Sequence, residues 1–166
     1  MSTRSGRKGE QRVESWLSSM GWTCPEKNIR IPGGEIDRLF LRRFEDKFDR
    51  IDICIAEIKT KSLRSARQFC HLFDEAQLRT LIRPHQIRNL WRTAQFHEQR
   101  LRRQHGTAHV CTYVRYFLVV LASEGILSSV RRQLKAGRSS LPVRICHLDD
   151  DALILSWAPD VPSQNF

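Results

Sequence analysis

The sequence predicts a single-domain α/β fold, a mixed central β-sheet flanked by α-helices, on three observations. Its 166 residues suffice to bury one core and are too few for two comfortable domains. Apolar residues make up 40% of the chain, with four Trp and eight Phe distributed in blocks, which argues against disorder. The periodicity of those blocks also changes along the chain, in the order helix, three strands, helices, strand, helix, two strands.

From Gly9 to Met20 the residues Val13, Trp16, Leu17 and Met20 recur at three- and four-residue steps, an amphipathic helix that Gly21 stops. Trp22 to Ile31 reads as a strand broken at Pro25, and Pro32-Gly33-Gly34 as a turn. Glu35 to Phe44 and Arg50 to Thr60 read as strands, the second with Ile51, Ile53, Ile55 and Ile58 at its centre, and the polar residues 45–49 as their hairpin loop. The stretch from Ser62 to Arg83 is helical only in part (Phe69, Leu72, Phe73, Ala76) and ends at Pro84. A clear helix follows, with Ile87, Leu90, Trp91, Ala94 and Leu101 on one stripe and Gly106 closing it. Tyr113 to Ala122 is a dense β-branched and aromatic strand, and Gly125 to Ala136 a short helix. Val143 to Leu148 and Ala152 to Trp157 are strands around the acidic turn Asp149-Asp150-Asp151. Repeats and low-complexity segments are absent.

The charge balance is the less ordinary feature. Lys and Arg number 28 against 18 Asp and Glu, a formal +10 with a pI near 10.0, and Arg supplies 22 of the cations. Arg suits bidentate contact with phosphate, so a nucleic acid is the expected partner. A membrane surface is disfavoured, because no single basic amphipathic segment carries the excess. Much of that excess lies in two places: Arg4, Arg7, Lys8 and Arg12 near the N-terminus, and the helix after Pro84, where Arg88 and Arg92 stand four apart on a face continued by Gln95 and Gln99. A solvated helix face is the plainer alternative.

Several classes are disfavoured. Apolar runs fall short of the roughly 18 residues of a membrane span, and the N-terminal residues lack the apolar core of a secretory signal. The five cysteines, Cys24, Cys54, Cys70, Cys111 and Cys146, are scattered and include no CxxC pair, so neither a disulfide framework nor a zinc site is expected. His105, His109 and Cys111 form a local cluster, but their irregular spacing argues against a metal. A cytoplasmic location is the expectation.

Two charged intrusions break the apolar strands. Gly34-Glu35-Ile36-Asp37 opens one and Ala56-Glu57-Ile58-Lys59 ends the next, and a hairpin between them brings Asp37 and Glu57 together at its mouth. Lys59 shares a face with Glu57, because residues two apart on a strand point the same way. Two acids and a lysine there suit a hard divalent cation such as Mg²⁺, which takes oxygen ligands and keeps several waters. Glu10 precedes Val13 by three and Leu17 by seven, so it lies on the buried stripe of the first helix, where a carboxylate is costly unless paired or metal-linked. Singly, each has a plainer reading: a helix-dipole carboxylate, an edge ion pair, a turn former. Jointly they point to a metal site.

Asp37 followed by Glu57-Ile58-Lys59 resembles the PD-(D/E)xK nuclease signature. With Gly9-Glu10, Leu17, Gly21, Asn28-Ile29-Arg30, Gly34-Glu35-Ile36-Asp37 and Glu57-Ile58-Lys59-Thr60, the chain resembles the YraN-like family, which is similar to the archaeal Holliday-junction resolvases. The resemblance covers residues 6–61 well and is looser from Pro84 to Gln104 and from Val114 to Val120. It implies a restriction-endonuclease-like core. It also implies a Mg²⁺-dependent endonuclease acting on DNA, with branched or recombination intermediates as candidate substrates, Mn²⁺ able to replace Mg²⁺, and a homodimer as the assembly. On the same basis Asp37 and Glu57 would hold the metal with the Ile58 carbonyl, Lys59 would orient the attacking water or neutralise the phosphate, and Glu10 would be an outer ligand. Glu35 would at most support the site from the same face.

The chain departs from the family at Arg38, where an aliphatic is usual, and at Gln86, where a lysine is common. Its hairpin at 41–50 is long and charged, and residues 62–83 look inserted. These departures leave the metal acids intact and bear on substrate type and retained activity. The alternative function is a non-catalytic nucleic-acid-binding or partner-binding module with the same fold.

Overall fold

A computed structural model describes residues 4–32, 34–45, 49–72, 83–106, 109–135 and 144–158. The elements are α1 (Arg4–Ser19), β1 (Thr23–Ile31), β2 (Gly34–Phe44), β3 (Arg50–Ser62), α2 (Ala66–Leu72), α3 (Pro84–His105), β4 (His109–Leu121), α4 (Glu124–Lys135), β5 (Arg144–Leu148) and β6 (Ala152–Trp157). The strands form one mixed six-stranded sheet in the order β1-β2-β3-β4-β6-β5, flanked by helices, so the α/β class is as expected. The observed order of elements is the predicted one. Helix α1 begins five residues before Gly9, because its basic first turn is exposed and needs no apolar periodicity to be helical. Strand β4 begins at His109 rather than Tyr113, on residues whose side chains are mostly half-exposed. Of the expected partial helix in 62–83, α2 is the described part, and residues 73–82 lie outside the described set, as does Val143 at the start of the fifth strand.

The chain divides into two compact units, each discontinuous in sequence. The first comprises residues 1–13, 58–83 and 117–157. Its core gathers Leu63, Phe69, Leu118, Val120, Leu127 and Leu153 with their neighbours, so that Phe69 of α2 and Leu127 and Val130 of α4 are buried with the C-terminal half of β4 and with β6. The hairpin of β5 and β6 is antiparallel, with a register shift between Ile145 and His147, and its acidic turn is closed by Asp149 N–H donating to the Ala152 carbonyl. Arg12 reaches that turn from α1, with Nη1 on Asp149 Oδ2 at 2.8 Å and Nη2 on Asp151 Oδ1 at 2.6 Å. Gly9 packs where a Cβ would collide with Thr60 Oγ1, so the helix approaches β3 only because residue 9 has no side chain.

The second unit comprises residues 14–57, 84–116 and 158–166. Strands β1, β2 and β3 run antiparallel in sequence order. The Pro25 irregularity appears as a register shift between Thr23 and Glu26, and Asn28 adopts a left-handed φ of 50°. Alternation on β2 and β3 places Leu39, Ile53 and Ile55 on one face and Phe40 and Cys54 on the other, all buried. Asp52, wholly buried among them, is met by Arg42, its cross-strand partner, at 3.0 Å and by Arg50 at 2.7 Å. Trp22 and Phe44 stack on the Arg42 guanidinium at 4.6 and 4.5 Å.

Candidate metal centre and nucleic-acid surface

The β2–β3 register pairs Arg38 with Ala56 and Leu39 with Ile55. Carried one step further, it sets Asp37 opposite Glu57. Directly opposed residues on antiparallel strands point to one face with Cβ atoms about 4.5–5.5 Å apart. Asp37 is half-buried and Glu57 is buried at 4% exposure. Beside Glu57 lies Tyr116 of β4, whose phenol is held above its ordinary value first by burial and then by the Glu57 charge. Cys54, on the opposite face of β3, has its thiol pushed up to about 12 by burial, which makes it an inert core residue.

Arg38, the departure that follows Asp37, alternates to the other face of β2. Its Nη1 donates to the Asp37 carbonyl at 2.6 Å and to Asn28 Oδ1 at 3.3 Å, and its Nε lies 3.5 Å from Glu14 on α1. Glu14 also pairs with Lys27 of β1. A buried guanidinium with a carboxylate and two oxygen acceptors is a structural clamp of helix to sheet.

In the first unit Glu10 is buried at 6% exposure, on the stripe of Val13, as its spacing predicts; Met20, by contrast, is exposed. Lys59 is half-exposed on β3, two residues beyond Glu57. Arg4, Arg7 and Lys8 are exposed along the first turns of α1, whereas the Arg12 guanidinium is engaged by the acidic turn. Arg88, Arg92, Gln95 and Gln99 are exposed on α3. Trp91, expected in the core, is half-buried with its Nε1 shielded from solvent. Residues 46–48 of the expected hairpin loop lie outside the described residues. His105 Nε2 lies 3.0 Å from Arg43.

Asp37 and Glu57 offer carboxylate oxygens, the donor type that a hard cation of the Mg²⁺ kind takes. Among the described residues no group of three or more His, Cys, Asp or Glu side chains gathers as a metal cage. Also among them, no helix is long and apolar enough to cross a membrane.

A feature that sequence reasoning missed lies between β1 and α3. A cavity of about 360 Å³ is walled by Ile29, Ile31 and Pro32 on one side and by Arg92, Phe96 and Arg100 on the other. Glu26 and His97 lie within it, His97 Nδ1 at 3.9 Å from Glu26 Oε1, and Arg100 reaches Glu26 at 3.3 Å. Burial lowers the His97 imidazole below its ordinary value, Glu26 opposing and Arg100 adding to the effect. The available signal was Phe96, an aromatic off the apolar stripe of its helix.

The profile of Uncharacterised protein family UPF0102 matches residues 9–120, more than half of the chain. Among similar proteins, a UPF0102 protein of Erythrobacter litoralis is 32% identical over 75 residues, 45% of this chain and 57% of its own length. UPF0102 proteins of an Arthrobacter species and of Paenarthrobacter aurescens are 31% and 30% identical over 86 residues, 52% of this chain in each case and 64% and 63% of their own. The chain thus spans about three-fifths of the length of the curated relatives it matches. No solved structure matches significantly.

Proposed function

The chain belongs to Uncharacterised protein family UPF0102, and we propose that it is a metal-dependent nuclease hydrolysing phosphodiester bonds in DNA. The observation that carries this reading is the β2–β3 register, whose end pairs Arg38 with Ala56 and which, continued by one residue, would set Asp37 opposite Glu57. Like charges directly opposite each other are destabilising, and a shared cation relieves the repulsion. Mg²⁺, with Mn²⁺ able to replace it, is the ion this donor set suits. When bound, such an ion supplies Lewis-acid stabilisation of the scissile phosphate and acidifies a water.

The chain's own residues do the rest. Asp37 and Glu57 fix the position of the cation, with the Ile58 carbonyl next along the strand. Lys59 presents its ammonium to the reacting phosphate and balances the charge that grows there. Arg88 and Arg92 of α3, and Arg4, Arg7 and Lys8 of α1, contact the DNA backbone and set its register without reading sequence. Branched DNA is the substrate that the resemblance to the resolvases favours.

The test is incubation of branched and linear DNA with Mg²⁺. Wild type is expected to cleave, EDTA to abolish cleavage, and Asp37→Ala and Lys59→Ala each to slow it by roughly a hundredfold or more. Cleavage indifferent to both Asp37→Ala and Lys59→Ala contradicts the site. Binding without cleavage under any divalent metal makes the chain a non-catalytic nucleic-acid-binding module.

A further inference from the structure

The cavity between β1 and α3 is built differently from a phosphate track, and it lies wholly within the second unit. On α3, Arg92, Phe96 and Arg100 follow one another at four-residue steps and therefore form one row, cation, ring, cation. Phe96 is 61% exposed, beside an apolar wall of Ile29, Ile31 and Pro32 that offers it a cleft but does not cover it. Arg30 joins the rim from β1, so three guanidiniums surround a small apolar slot that contains one carboxylate, Glu26. At about 360 Å³ the slot is near the lower end of the range of small-ligand sites and is too small for a duplex.

We infer that this slot receives a single unpaired nucleotide, its base stacked on Phe96 and its flanking phosphates on Arg92, Arg100 and Arg30. An exposed aromatic ring set between cations is the combination by which proteins bind single-stranded nucleic acid: the ring stacks on any base, and the cations follow the backbone. His97 and Glu26 line the slot and offer a ring nitrogen and carboxylate oxygens to the edge of the base. The inference rests on the nucleic-acid reading of this surface and needs no cleavage chemistry. It assigns the chain a preference for DNA with unpaired positions, such as flaps or gaps.

The experiment is fluorescence anisotropy with the full chain in EDTA, comparing a labelled short oligothymidylate with a labelled blunt duplex. Phe96→Ala is expected to weaken oligothymidylate binding roughly tenfold or more while leaving duplex binding within about twofold. Phe96→Tyr keeps the stacking face and is expected to retain wild-type affinity. Arg92→Ala is expected to lower the salt slope by about one, whereas Phe96→Ala leaves it unchanged. The inference is overturned if wild type ignores the oligothymidylate, if Phe96→Ala leaves both Kd values unchanged or weakens both alike, or if Phe96→Tyr is as weak as Phe96→Ala. Because EDTA prevents cleavage, failure here leaves the Asp37–Glu57 proposal standing, and failure of that proposal leaves this binding result intact.

Discussion

Asp52 and Asp37 are acids on neighbouring antiparallel strands, and their cross-strand partners separate them. Asp52 is opposed by Arg42 and flanked by Arg50, so its burial is answered by two arginines, whereas the register continued past Arg38 and Ala56 would set Asp37 opposite Glu57. The acid out of place in a strand is therefore an incomplete signal: it picks out Asp52 as readily as Glu57, and only the register divides a structural ion pair from a candidate cation site. Asp52→Ala is expected to cost about 1.5–3 kcal/mol in chemical denaturation, the worth of hydrogen bonds to a charged group, since the two half-exposed arginines keep access to water. Gly9 gives a second residue-scale expectation. Ala ordinarily stabilises a helix over Gly by about 0.5–1 kcal/mol. Here the added Cβ meets Thr60 Oγ1, with Thr60 Cβ and Cγ2 at 3.0 and 3.2 Å behind it. Gly9→Ala is therefore expected to destabilise by about 1–3 kcal/mol, as overpacking does. In a Thr60→Ala background the loss should largely vanish, and a double-mutant cycle with no coupling would refute the close approach.

Among the elements, α3 shows how far periodicity reaches. Its apolar stripe, its start at Pro84 and its stop at Gly106, which holds a φ of 63°, follow from sequence. Its second stripe, Arg92, Phe96 and Arg100 with His97 beside them, was not legible, because what makes it a site is the facing stretch of β1, 61 or more residues away in the chain. Arg38 was likewise visible as a departure but not as a clamp, since Glu14 and Asn28 reach it from other elements. The environment of His97 has a pH consequence. Its folded value lies below the ordinary 6.5, so the unfolded chain takes up the proton first as pH falls. The contribution of neutral His97 is complete above about pH 6.5 and is lost as pH falls from there toward the lower folded value. His97→Gln should flatten the fall in Tm across that window. An unchanged fall would mean that other groups cause it.

For the whole molecule, the +10 charge is used in two ways. Arg12, Arg38, Arg42 and Arg50 are engaged by carboxylates and hold elements together, while Arg4, Arg7, Arg88 and Arg92 are exposed. Composition could not divide these groups, because both raise the net charge equally. The order of elements and the α/β class were legible because each block has its own period. The partners of buried charges were not, because they come from strand register and helix placement. The central claim is that Asp37 and Glu57 share a cation, and the most direct measurement is Mn²⁺ binding read by electron paramagnetic resonance on wild type, Asp37→Asn and Glu57→Gln. The account predicts that wild type depletes the free Mn²⁺ signal, that either substitution weakens binding at least tenfold (about 1.4 kcal/mol), and that Mg²⁺ competes the ion off. Equal Mn²⁺ affinity in all three proteins would contradict it.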